Sequence, residues 1–310
     1  VLFEYKTVSI KNIDLEDRTY LFSYPRRNVF LRESIKSIGL LQPPLLFSEK
    51  ENSKFQIICG EGRILACYEL NISEIPALIV FDKTPKDLLL LSLESNLFRP
   101  LNLVEKAEFI NRSLKIFSIE EVIKLLPKLN LNPSYHWIEF FQAIAILEED
   151  FKNLLVEEIL NPKIAKVLAE LSLNERKEFL EVLKKLNLSF SEQKEVLEKL
   201  LDYKKRKDLA SLLPEVLKEF LEEKDFNKRK RNFLNTLNEL YNPYYFSKLK
   251  NFSSLIEIFK KKQINISFSP YFEKKELELH LKGTSLEDLK EKINFIEKQE
   301  ETLKKIFDEL

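Results

Sequence analysis

The stretch FQIICGEGRILACYEL, Phe55–Leu70, places residues together that could hold an anion. Phe55–Cys59 is a short apolar run of the kind that forms a buried strand. Gly60 ends it and Gly62 loosens the turn. From Arg63 onward Ile64, Ala66, Cys67 and Leu70 recur at helical spacing. A strand that breaks at glycine into a helix presents backbone N–H groups at the helix start, and these attract phosphate. Arg63, in the first turn, adds a fork that can bind phosphate at two points. The same pattern also describes an ordinary strand–turn–helix whose arginine meets solvent. A second arginine, Arg99, follows Asn96 at the end of the apolar helix Pro85–Leu93, just before Pro100 and a new helix with Glu105 in its first turns. It is either a second phosphate ligand or a surface residue.

Nucleic-acid chemistry points elsewhere in the chain. Acidic and basic residues balance at 50 each, for a net charge of zero. The basic surplus falls in 201–262, with 15 basic against 9 acidic residues. Lys204, Lys205, Arg206 and Lys207 form one cluster there, and Lys228, Arg229, Lys230 and Arg231 another, with Lys260, Lys261 and Lys262 beyond. Such runs grip phosphates without reading sequence, and they equally form solvated helix faces. The two histidines, His136 and His280, are isolated, and Cys59 and Cys67 lie in apolar patterns, so no metal constellation or disulfide framework is expected. No stretch has the length and apolarity of a membrane span or a signal peptide. These features predict a cytoplasmic protein. With no methionine in the chain, Val1 is read as the product of an alternative start codon or as a truncated start.

The elements that must position these residues follow from the patterning. Phe3–Ile13 reads as an edge segment and Tyr20–Asn28 as a loop. Phe30–Ile38 reads as a short helix with Phe30, Leu31, Ile35 and Ile38 inward, closed by Gly39 as a C-cap. A strand is expected at Leu45–Phe47, a polar turn at Glu49–Lys54, and a further strand at Ile75–Phe81. Alternating strands and helices make a compact α/β domain.

Downstream, 108–207 reads as helical throughout. Ser118–Glu121 has the form of a capping box, and Ser134–Leu147 stands where the second helix of a helix-turn-helix would. Its start, Ser134, Tyr135, His136 and Trp137, is aromatic, and it ends in Glu148, Glu149 and Asp150. His136 could touch DNA, or it could pack at a helix seam. Further helices are expected at Val156–Leu160, Ile164–Glu170, Asn174–Leu186 and Ser189–Tyr203. Tyr241, Pro243, Tyr244, Tyr245 and Phe246 read as an aromatic loop. The period then becomes two: Ile264, Ile266 and Phe268, and later Leu277, Leu279 and Leu281, predict two antiparallel strands around Pro270 and Glu273–Glu276. A long helix from Ser285 to Leu310 follows, with Leu289, Ile293, Ile296, Leu303 and Phe307 inward.

Three blocks, IKSIGLLQPPLLF, FQIICGEGRILACYELNISEIPALIV and ESNLFRPLNLVEKAEF, together resemble the N-terminal domain of the ParB partition proteins, within the wider ParB/sulfiredoxin superfamily. The resemblance covers roughly the first third of the chain. It implies a site for a nucleoside triphosphate, CTP in the partition proteins, with magnesium. Gln42 falls in the block lining the base side, Gly60, Glu61 and Arg63 in the Gly-Glu-Arg-Arg motif, and Asn96 and Arg99 in the Glu-Asn-x-x-Arg motif. Glu105 opens the next helix, and Asn96 is also the candidate metal contact. Gly62 and Leu65 stand where the family carries arginines. Ser95 replaces the glutamate that helps hold the ion, with Glu94 one place earlier, so hydrolysis is expected to be weak or absent. Sulfiredoxin chemistry needs a cysteine directly after the motif glycine, and Glu61 stands there.

The expected fold class is therefore α+β: a ParB/sulfiredoxin-like α/β domain over 1–107, an all-helical, helix-turn-helix-like domain over 108–207, and a basic helical segment with a β-hairpin and final helix over 208–310. The expected function is a ParB-like DNA-associated protein in partition or regulation. It would touch duplex DNA through non-specific phosphate contacts, associate with the nucleoid, and possess at most weak triphosphatase activity; a homodimer is an open alternative. The rival is a scaffold that keeps the fold and binds protein partners.

Overall fold

The computed structural model describes residues 3–26, 29–49, 54–269 and 274–310. The expected features at Arg27, Asn28, Glu51–Ser53, Pro270 and Glu273 lie outside them. The chain divides into two compact units, Val1–Leu180 and Glu181–Leu310. The division falls inside the span 108–207 that the sequence treats as one helical region.

The first unit begins with strand β1 (Glu4–Ser9), helix α1 (Val29–Ile38), strands β2 (Leu45–Phe47) and β3 (Gln56–Cys59), helix α2 (Glu61–Glu69) and strand β4 (Glu74–Val80). The strands form one sheet in the order β1-β4-β2-β3. β1 lies antiparallel on β4 with Val8 opposite Ile75, β2 runs parallel to β4 with Leu46 opposite Ile79, and β3 closes the sheet antiparallel to β2. Val8, Leu46, Ile57, Ile75, Ala77 and Ile79 bury against Ile35, Ile64, Ala66 and Cys67 of the two helices, one continuous apolar core.

Helices continue the unit: α3 (Pro85–Glu94), α4 (Leu103–Ser113), α5 (Ile119–Leu125), α6 (Tyr135–Ala145), α7 (Glu149–Val156), α8 (Ala165–Glu170) and α9 (Leu173–Leu186), the last spanning the division. α4 packs on α6 and α7, and α6 on α8. Capping boxes open α3 at Thr84/Asp87, α4 at Asn102/Glu105 and α5 at Ser118/Glu121. Glu108 of α4 receives the Lys152 ammonium of α7 at 2.8 Å and pairs with Arg112, tying the two helices at a largely buried point. Burial pulls the Glu108 carboxyl upward, and the two cations overcome it, leaving it below the usual carboxylate range.

The second unit holds α10 (Phe190–Lys207), α11 (Glu215–Leu221), α12 (Phe226–Tyr241), α13 (Pro243–Lys261), the antiparallel pair β5 (Ile264–Phe268) and β6 (Leu277–Leu281), α14 (Leu286–Lys298) and α15 (Glu300–Glu309). Phe252, Ile256, Phe259, Ile264, Ile266 and Ile306 form the core beneath the hairpin. No helix among the described residues is long and apolar enough to cross a membrane.

Several local expectations change. Only Ile35 of α1 is buried, while Phe30 and Ile38 are 88% and 61% exposed, because the stripe Leu31–Ile35 alone meets the core. α2 starts at Glu61, so Gly62 is helical and does not loosen the turn. No helix covers Val156–Leu160: α7 ends at Val156, Glu158 turns the chain at φ +57°, and the Ile159 and Leu160 amides both donate to the Leu154 carbonyl. Glu148–Asp150 do not end α6; they open α7, where acidic residues suit the positive end of a helix. The aromatic run at Tyr241–Phe246 is not a loop, since only Asn242 separates α12 from α13, and Tyr244 is 78% exposed. The final helix is two helices meeting at Gln299. Ile296 and Leu303 pack on the core as expected, while Ile306 is buried where Phe307 was expected, and Ile293 faces outward.

Candidate functional site

β3, α2 and the turn after α3 bring the candidate phosphate ligands together. Gly60 leaves β3 and caps α2 with φ +96°, the left-handed region that favours glycine. A Cβ at Gly60 would lie 2.9 Å from Arg63 Nη2 and 3.0 Å from the Pro44 Cβ, so the glycine also makes room for the arginine. Arg63 folds back across the turn and donates through Nη1 to the Gln42 carbonyl at 2.7 Å and the Pro43 carbonyl at 3.3 Å. Gln42 thus acts here through its backbone. At the start of α2 the Arg63 N–H already donates to the Gly60 carbonyl at 3.0 Å, so the N–H groups that a helix start leaves for a ligand are those of Glu61 and Gly62.

The sulfur of Cys59 lies beneath this turn. It accepts from Arg63 Nη2 at 3.8 Å and from Asn96 Nδ2 at 3.9 Å, and it donates to the Ser95 carbonyl at 3.9 Å. Cys59 is buried, as its apolar run predicts, and its sulfur is also the common contact of two cradle residues. Burial raises its pKa, and the charges of Arg63 and Arg99 oppose that rise. Both cysteines are buried free thiols.

Asn96 is buried, with Nδ2 anchored on the Ser92 carbonyl at 2.8 Å and Oδ1 within 3.5 Å of the Ser23 hydroxyl. Arg99 donates through Nη1 and Nη2 to the two oxygens of Glu105, at 2.8 and 2.5 Å. Glu105 is fully buried, and besides Arg99 it accepts from the backbone N–H groups of Tyr24 and Asn102. Its role is to orient Arg99 and cap α4. The hydrogen bonds that Arg99 donates to Glu105 hold the guanidinium more firmly in its charged form. Glu61 is also buried; its Oε1 accepts from Arg26 Nε at 2.6 Å and lies 3.4 Å from Arg18 Nε, while its Oε2 has no hydrogen-bond partner. Arg18, Arg26 and Tyr24 were missed from the sequence. Their loop has no periodicity, and the carboxylates they meet, Glu61, Glu105 and Glu149, lie 35 or more positions away.

Glu94 points to Lys128 in an exposed ion pair. Among the described residues no group of three or more His, Cys, Asp or Glu side chains comes together to hold a metal. Asn96 Oδ1 offers one neutral oxygen, which suits a magnesium ion held mainly by phosphate oxygens and water.

The residues expected to touch DNA are divided between the units. His136 is exposed in the first turn of α6, its ring 5.8 Å from that of Trp137. In α12, Arg229 donates to the Glu223 and Lys185 carbonyls, and Lys230 pairs with Glu192 at 2.8 Å. Lys228 and Arg231 are exposed.

The family model described as the ParB N-terminal domain matches residues 5–97. No curated protein matches the chain. Among solved structures, the chain is similar to the C-terminally truncated chromosome-partitioning protein ParB from Caulobacter crescentus complexed with CTP-gamma-S, at 17% identity and a TM-score of 0.24, covering 58% of this chain and 99% of that one. The same protein complexed to the centromeric parS site gives 17% identity and a TM-score of 0.32, covering 63% and 99%. The Pnob8-like ParB-N domain, in its C2221 form, gives 13% identity and a TM-score of 0.39, covering 77% and 98%. Residues 5–97 of this chain are thus a ParB N-terminal domain.

Proposed function

We propose that the first unit binds a nucleoside triphosphate of the CTP class, and that the protein acts with DNA in partition or regulation. The observation that carries the nucleotide reading is the meeting of Arg63 and Asn96 on one sulfur, Cys59 Sγ, with the charge of Arg99 acting on the same atom. Two cations, a buried amide and a helix start opened by Gly60 make a small polyanion cradle. Gly60, Arg63 and Arg99 hold phosphates, Gln42 fixes Arg63 from the base side, and Glu105 aims Arg99. Glu61 stands at the helix start. Asn96 would hold magnesium, which when bound neutralises phosphate charge. Gly62 and Leu65 supply no charge, and the motif carboxylate is Ser95, so binding is weak and turnover slight.

DNA association rests on phosphate contacts by the exposed Lys228 and Arg231, with His136 as a separate contact in the first unit. Arg229 and Lys230 already serve their own unit and contribute less. Such binding carries little sequence information and falls with salt. The test is duplex binding at about 50 and 200 mM salt, with and without CTP. Binding lost between these concentrations supports the reading. No binding at the lower salt in either condition supports a scaffold for protein partners instead.

A further inference from the structure

Tyr24 sits between the candidate cradle and helix α7. Its backbone N–H donates to Glu105 Oε1 at 3.2 Å, the same oxygen that receives Arg99 Nη2 at 2.5 Å. Its carbonyl accepts from Asn102 Nδ2 at 2.9 Å, so both backbone groups of Tyr24 belong to the shell around Glu105 and the α4 cap. Its phenol reaches α7, donating to Glu149 Oε2 at 2.8 Å with Asn153 Oδ1 at 2.5 Å. Glu149 and Asn153 are exposed residues of α7. Tyr24 therefore has one end on the carboxylate that aims Arg99 and the other on a helix beginning 44 positions after Glu105.

We infer that Tyr24 is a positioning residue of the cradle, through which α7 sets the orientation of Arg99. The inference rests on the nucleotide reading and names how that site is controlled. The pair Arg99–Glu105 is rigid only if the remaining ligands of Glu105 are fixed. Tyr24 supplies one of them from a loop that Phe22, Ser23 and Arg26 also anchor to the first unit, and the phenol adds the tie between that loop and α7. A buried carboxylate that loses a donor reorients toward its remaining partners, and a guanidinium held at two points follows it. By linkage, whatever strengthens phosphate binding when the phenol is docked must equally be strengthened by phosphate. A ligand on Arg99 thus tightens Tyr24 against α7.

The test titrates the full chain with CTP and with inorganic tripolyphosphate, comparing wild type with Tyr24→Phe and Asn153→Ala. Asn153→Ala alters only an exposed acceptor on α7, so it keeps the question open if Tyr24→Phe folds poorly. Each variant is expected to weaken both ligands by about three- to tenfold, the range for one hydrogen bond, without altering the ratio between CTP and tripolyphosphate. In the wild type, CTP is expected to slow amide hydrogen exchange in Glu149–Val156, a response that a merely structural role for Tyr24 would not produce. Unchanged affinities in both variants, or exchange in α7 indifferent to CTP, overturn the inference while leaving the nucleotide reading standing. Failure of the wild type to bind either ligand overturns both.

Discussion

Arg99 and Glu105 form a two-point ion pair in which the carboxylate is 1% exposed and the guanidinium 36% exposed. The acid is committed to the protein, and the base keeps a face for a ligand. The capping box of α4 uses the same carboxylate, so one side chain ends a turn, starts a helix and aims an arginine.

Replacing Glu105 by alanine removes the cap bond, the Tyr24 contact and the partner of Arg99 together. Breaking a buried pair from one side typically costs about 3 kcal/mol or more. Denaturant unfolding of Glu105→Ala is expected to show a loss of that order, with CTP binding abolished.

Gly60→Ala tests the turn. The new Cβ meets Arg63 and Pro44, and the positive φ costs a non-glycine residue about 1–2 kcal/mol. The expected result is modest destabilisation in urea with a larger, at least tenfold, loss of CTP affinity, because Arg63 must move. Equal affinity in the two proteins would remove Arg63 from the site.

The Glu108 pair predicts an acid-sensitive contribution. Burial pulls the carboxyl upward, but Lys152 and Arg112 hold it below the usual carboxylate range in the folded chain. A depressed folded pKa adds stability above the unfolded value, and this stability is lost as pH falls through the folded value. Urea midpoints measured from pH 7 down to about pH 3 should therefore fall more steeply in wild type than in Glu108→Gln.

In the second unit, Arg229→Ala is expected to lower stability, since Arg229 carries two backbone carbonyls. The double charge reversal Lys228→Glu/Arg231→Glu should leave the melting temperature nearly unchanged and weaken duplex DNA binding at low salt. The two measurements, melting and DNA affinity, separate the structural cations from the exposed ones.

The strand–glycine–helix unit, the capping box at Ser118–Glu121 and the C-terminal hairpin were legible because each is local: a change of period, a Ser-x-x-Glu spacing, an alternation of apolar residues. The pairing of Arg63 with Asn96 could be foreseen only through the family resemblance, because no spacing rule brings residues 33 positions apart onto one sulfur. The burial of Cys59 was legible from its apolar run, but its contacts with Arg63 and Asn96 were not, because both partners come from elements that only the fold brings to it. On the last helix Ile296 and Leu303 pack on the core as expected, but Ile306 takes the buried place expected for Phe307 beyond the break at Gln299, and nothing in the sequence there, neither glycine nor proline, announces that break.

The central claim, that Arg63 and Arg99 serve one phosphate cradle, is tested most directly by calorimetric titration of wild type, Arg63→Ala and Arg99→Ala with the four ribonucleoside triphosphates, with and without magnesium. The predicted result is heat with CTP in the wild type and at least about tenfold weaker binding in each variant, the size of one charge-assisted hydrogen bond. No heat from any of the four nucleotides, or binding unchanged in both variants, would contradict it.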